Sequence, residues 1–218
     1  MTPRSTNPFP RAKGRLEAFS DGVFAIAITL LVLEIAVPHV TGGRLLEELL
    51  RQRTSYLAYF VAFMTIGSAW IEHSALTEAL DHVDAGFQRL NLLLLLLVGF
   101  LPFPTSVMSE YLSLVERKAG GEQVAVMFFG IVLLLISLVL FLLVRYAERE
   151  ALFVAGAEEE RTEENRVRYQ LLPSITFYVV AIVCGIFSPY LAVALYVLIG
   201  VFLLLPLRTL LRWLRRGD

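Results

Sequence analysis

The sequence predicts an all-α membrane protein with six transmembrane helices per subunit, forming a single domain over residues 1–218. Three observations carry that expectation. Hydrophobic residues make up 57% of the chain and the mean hydropathy is +0.68, whereas a soluble domain is nearer half apolar. Six apolar stretches each approach the about 20 residues needed to cross a hydrocarbon core about 30 Å thick. Basic residues are spread unevenly over alternate loops, as the positive-inside rule requires of a multi-span chain.

The first stretch covers Leu16–Val37 and ends at Pro38. Arg4, Arg11, Lys13 and Arg15 precede it and imitate a signal peptide. The apolar part is too long for one, lacks a small-residue cleavage site and contains Asp21, so it is expected to be retained as a span. The second stretch is Ser55–Leu76. The third is Leu90–Met108, where Pro102 and Pro104 should kink or end the helix, because proline lacks an N–H and clashes with the preceding turn. The fourth is Val124–Val144, the fifth Leu171–Phe187 and the sixth Tyr190–Leu207, with Ser188 and Pro189 as a tight turn between the last two. Residues 145–170 read as a solvated helical linker, and the acidic 158–164 segment in it as wet surface. Cys184, the only cysteine, lies in an apolar run and is expected to be a small packing residue.

Six spans place both termini on one side. Fourteen of the 19 Lys and Arg residues fall on that side, and five (Arg44, Arg51, Arg53, Arg117, Lys118) on the other. Both termini are therefore expected in the cytoplasm of a multi-pass cell-membrane protein, with Trp213 and its arginine neighbours anchoring the last helix at the inner interface. A net charge of −1 gives no case for nucleic acid.

The ionisable groups at the start of the first span are costly in a membrane and mark an ion path or a polar lock. Arg15 and Phe19 are four apart and share a helical face. Arg15 and Asp21 are six apart, about 120° from each other, so Asp21 should look to another span. The topology puts Trp70, Glu72 and His73 at the inner end of the second span and Asn91 at the inner end of the third. Asp21, Trp70, His73 and Asn91 should then share a depth. Indole, imidazole and amide groups all suit Ser20 or Asp21 as partners. A network that fixes helix packing is the favoured reading over a proton relay or an ion-binding site.

Beyond the cluster, Ile26, Leu30 and Leu33 recur at spacings of four and three, over about 10 Å of helix. Such stripes ordinarily face lipid or another helix. Here the stripe follows a polar cluster directly, is flanked by Gly22, Ala25, Ala27 and Thr29, which permit close approach, and ends at Glu34, where a ring of carboxylates would concentrate cations. One six-span chain lines a central path only through symmetric assembly. Around such an axis the isoleucine and leucine rings would form a neck gated by dewetting. Potassium holds its water less tightly than sodium, so such a neck favours potassium. No TVGYG-type filter is present; the nearest fragment is Val98–Phe100.

The pattern R-x-x-x-F-S-D is met in full by Arg15, Phe19, Ser20 and Asp21, followed by AIAITLLVLEI. With it the chain resembles the prokaryotic branch of the endolysosomal potassium-channel family, transmembrane protein 175. WIEH at Trp70–His73, Asn91 in RLN, and LPF at Leu101–Phe103 are further points of similarity. The resemblance implies a leak-type potassium channel in which one-repeat subunits assemble as homotetramers with the first span lining the pore. It implies a constriction at Ile26, Leu30 and Leu33, narrowest at Ile26, and a hydroxyl at Thr29 that influences selectivity. It also implies that Arg15, Phe19, Ser20, Asp21, Trp70, His73 and Asn91 form a polar network beside the pore helix. The partners implied are the bilayer, further copies of the chain and permeant potassium, with no cofactor and no structural metal.

Three other classes compete, one of them a non-conducting scaffold, against which no residue pattern speaks. A proton- or cation-coupled secondary transporter would use Asp21, Glu34, Glu72 and His73, but no pair of broken helices sits at matching positions in two repeats. A membrane enzyme is disfavoured because HExxH, GxSxG, a catalytic cysteine–histidine spacing and a phosphate loop are all missing.

Overall fold

The computed structural model describes residues 10–38, 43–113, 120–154 and 174–204. The described elements are helices α1 (Pro10–Leu30), α2 (Leu45–Arg51), α3 (Arg53–Glu78), α4 (Ala85–Phe100), α5 (Pro102–Ser113), α6 (Gly121–Arg149), α7 (Ser174–Phe187) and α8 (Pro189–Leu204). Four helical runs are long and apolar enough to cross a membrane: Ala12–Glu34, Arg53–Glu78, Ala85–Leu112 and Gly121–Arg149. They match the first four expected spans. The described parts of the fifth and sixth, α7 and α8, are shorter apolar helices of 10–17 residues. The acidic 158–164 segment, Arg4 and the Trp213 anchor lie outside the described residues.

The break expected in the third span falls at Leu101. Its amide bonds back to the Val98 carbonyl at 3.2 Å, and α5 restarts at Pro102. Proline is well placed there, since the first residue of a helix needs no intrahelical donor. Pro104 sits in the first turn of α5 for the same reason and causes no further break. At the last turn, the Ser188 amide closes α7 on the Cys184 carbonyl at 2.8 Å, and the Ser188 hydroxyl accepts from the Leu191 amide at 3.4 Å to start α8.

α1 changes helix type at its outer end. The helix tightens into a 3-10 turn over Leu31–Glu34. A 3-10 turn advances about 120° per residue rather than 100°, so Leu33, three residues on, falls almost directly over Leu30 and stays on the stripe.

α3 is the central strut, packed against α1, α5, α6 and α8. Tyr196 of α8 reaches α6, donating to the Val126 carbonyl at 3.3 Å over Gly130, where a Cβ would collide with its hydroxyl. The helix ends on the Asp84 side are tied by polar contacts. Asp84 caps α4 by accepting from the Phe87 amide at 2.7 Å, and also accepts from the Tyr146 hydroxyl of α6 at 2.7 Å. Gly86 makes room for that tyrosine, since a Cβ there would run into its ring. Leu80 and Phe153 form an isolated antiparallel bridge, and the Lys13 ammonium of α1 donates to the Leu80 carbonyl at 2.6 Å and the Glu78 carbonyl at 3.0 Å. A cation on the last carbonyls of α3 is favoured by the negative end of the helix dipole.

Candidate pore helix and its polar lock

α1 has two faces of opposite character. Leu16, Ser20, Phe24, Ala27 and Leu31 recur at spacings of four, four, three and four, and all are buried against α3 and α4. On the other side Ile26, Leu30 and Leu33 are 60%, 41% and 74% exposed, and Phe19 is exposed with them. The stripe read from the sequence is thus the face that the subunit leaves uncovered.

The lock consists of two branches. In the buried branch, the Asn91 amide donates to the Ser20 hydroxyl at 2.9 Å, and its oxygen meets His73 Nε2 at 2.8 Å. An amide oxygen only accepts, so this geometry assigns the imidazole proton to Nε2. Phe24 packs on the imidazole at a ring separation of 5.5 Å. In the second, more exposed branch, Trp70 Nε1 donates to Asp21 Oδ1 at 2.9 Å. Ser20 and Asp21 are adjacent, so their side chains leave α1 about 100° apart, one toward α4 and the other toward α3. That angle is why the expected network is two branches, one linking α1 to α4 and on to α3, the other linking α1 to α3 directly, rather than one continuous chain of bonds.

Arg15 and Phe19 join neither branch. Together with Leu16, Gln88 and Asn91 they line an open cavity of about 550 Å³ between α1 and α4. Thr29 is exposed on the stripe side, its hydroxyl shared between the Ala25 carbonyl at 3.0 Å and the Ile26 carbonyl at 2.9 Å. With its proton turned to its own helix, the Thr29 oxygen is left as an acceptor. Glu34 is half-buried and lines a cavity of about 400 Å³ with Leu30, Leu33, Phe100, Phe103 and Glu110.

Two features were only partly visible in the sequence, where Glu72 stood as a possible carrier residue at the inner end of the second span. Glu72 is buried, on the same α3 face as Thr65 and Ser68, spaced at three and four and also buried. The Asp84–Gly86–Tyr146 contact was readable only in part, as an aspartate just before an apolar helix. Burial works against the Asp84 charge, but the Phe87 amide and the Tyr146 hydroxyl outweigh it and hold the carboxyl below the usual aspartate range. Among the described residues no three His, Cys, Asp or Glu side chains come together as a metal site requires.

The family described as the endosomal/lysosomal potassium channel TMEM175 matches residues 15–102, the stretch that carries both lock branches and the stripe. A protein of Chamaesiphon minutus named as a potassium channel is 35% identical over 192 residues, covering 87% of this chain and 92% of that one. A potassium channel of Streptomyces collinus is 39% identical over 160 residues, 72% of this chain and 76% of its own. The crystal structure of a lysosomal potassium-selective channel TMEM175 homolog from Chamaesiphon minutus superposes with a TM-score of 0.75 at 33% identity, covering 88% of this chain and 96% of that one.

Proposed function

The chain belongs to the TMEM175 family, and from that premise we propose that it is a passive, potassium-preferring channel of the cell membrane. In this reading each subunit crosses the membrane six times, α7 and α8 supplying the last two spans, and both termini are cytoplasmic. Four copies surround an axis lined by α1. Ile26, Leu30 and Leu33 form the neck, with Ile26 at its narrowest ring. Thr29 offers an acceptor oxygen between them, and Glu34 concentrates cations at the outer mouth.

The observation that carries the proposal is the division of α1. One face is bonded to α3 and α4 through Asp21–Trp70 and Ser20–Asn91–His73, while the apolar face opposite stays uncovered. A helix meant only for lipid has no need of such a fixed rotation. A pore helix does, because a small roll would replace isoleucine with its neighbours at the neck. Arg15 and Phe19, uncovered beside the α1–α4 cavity, are then available to an adjacent subunit. Partial dehydration at an apolar neck discriminates against sodium, and needs neither a cofactor nor a resident metal.

Liposome flux tests the proposal. Purified protein reconstituted under a potassium gradient should support potassium flux, with sodium passing more slowly. Flux no greater than from empty liposomes would sink it, and flux that requires a proton gradient would move the protein to the transporter class.

A further inference from the structure

A second stripe runs along α6, the helix that meets α4 on the side away from α1. Ile131, Leu135, Leu138 and Leu142 are all exposed, at spacings of four, three and four. They cover about 16 Å of helix axis, the length of an extended acyl chain. The same line then turns cationic: Arg145 and Arg149 follow at three and four residues. At that junction α4 and α6 enclose a cavity of about 540 Å³, lined by Leu90, Leu142, Arg145, Tyr146, Glu148 and Arg149.

The charges in this cavity are arranged unequally. Arg145 Nη1 donates to Glu148 Oε2 at 2.8 Å, with the arginine side chain 51% exposed and the glutamate only 17%. The carboxylate therefore lies beneath the guanidinium and orients it, leaving most of its five N–H donors to the outside. Arg149 makes no ion pair among the described residues. The Tyr146 hydroxyl is already given to Asp84 and closes the floor of the cavity. Two cationic forks four residues apart over an apolar groove match a phosphodiester above an acyl chain, because guanidinium binds phosphate oxygens through paired, charge-assisted bonds.

We propose that the groove between α4 and α6 binds an anionic phospholipid, its phosphate held by Arg145 and Arg149 and an acyl chain laid along Leu142, Leu138, Leu135 and Ile131. The proposal rests on the topology above only in assigning this site to the inner leaflet, where juxtamembrane basic residues meet anionic headgroups.

Native mass spectrometry of the purified full chain, offered phosphatidylglycerol and phosphatidylcholine in equal amounts, tests it. Wild type should retain phosphatidylglycerol preferentially, on the order of 30-fold for two basic residues. Arg145→Gln with Arg149→Gln should bring the ratio close to one. Leu142→Trp keeps both charges but fills the groove, and should weaken retention of both lipids. Unchanged preference in the double variant overturns the phosphate assignment, and unchanged retention in Leu142→Trp overturns the acyl groove. Displacement of the lipid by millimolar inorganic phosphate would mean that the site reads free phosphate instead. Lipid retention is measured without ion flux, so its failure leaves the channel proposal standing, and failure of flux leaves the lipid measurement intact.

Discussion

The two faces of α1 are built from the same helix, yet they follow different rules. On the buried face every polar atom that leaves the helix finds a named partner: Ser20 meets Asn91, and Asn91 meets His73. On the exposed face, Ile26, Leu30 and Leu33 make no polar contact and are left largely uncovered by their own subunit. The first face is energetically committed, because removing one member leaves others unsatisfied in an apolar setting. The second is uncommitted within the subunit, so its residues can be chosen for what passes or packs against them. Stability should therefore depend on the buried face and permeation on the exposed one. Substitutions ranked by their expected cost in stability test that separation.

The largest cost belongs to Asn91→Leu. It removes two interhelical hydrogen bonds and strands the Ser20 hydroxyl and His73 Nε2 in a buried site. Interhelical bonds in membranes average about 0.6 kcal/mol each with a maximum near 1.7, so the two bonds and their stranded partners together should cost on the order of 2 kcal/mol. The thermal midpoint in detergent should fall by on the order of 5 °C. An unchanged midpoint would mean that the buried branch holds nothing, and the contrast between the faces would collapse.

How much of this was legible in the sequence depends on the range of the interaction. The helical runs of the first four spans, the break at Leu101–Pro102 and the Ser188–Pro189 turn are local, and hydropathy and proline chemistry revealed them. The partners of the lock were legible because topology alone puts Ser20, Asp21, Trp70, His73 and Asn91 at one depth. Which bonds to which was not, since it depends on the 100° between Ser20 and Asp21 and on how α1 is rotated against its neighbours. The 3-10 turn at Leu31–Glu34 carries no composition signal. Tyr146 and Asp84 lie 62 residues apart, and only packing reveals that Gly86 exists to let them meet.

Asp84→Ala should be intermediate, and it separates polar contacts in general from those on α1. The substitution removes a helix cap, worth about 1 kcal/mol, and the bond from Tyr146. Its contribution also has a pH signature. The folded carboxyl titrates below its ordinary value, so the stability it adds is full above that value and fades as pH falls through it toward the lower folded one. Wild type should lose stability below about pH 4 more steeply than Asp84→Asn. Potassium flux near neutral pH should be the same in all three proteins, since the contact lies between α4 and α6. A change in potassium-over-sodium preference in Asp84→Ala would show that the neck is sensitive to packing far from α1, which the contrast between its faces excludes.

Ile26→Ser should cost least in stability and matter most for permeation. Ile26 is 60% exposed in its subunit, and substitutions at such surface positions usually change stability by no more than about 0.5 kcal/mol. At the neck, however, a serine ring is both wider and wetter than an isoleucine ring, so dewetting and ion dehydration both weaken. Potassium flux should rise, and sodium flux should rise more, eroding the preference. The thermal midpoint should stay with wild type, which distinguishes a changed path from a damaged fold. Leu33→Ser, further out in the 3-10 turn, should act in the same direction more weakly. If Ile26→Ser instead melts early and leaves flux unaltered, then Ile26 is a packing residue between subunits, and the path runs along some other face of α1.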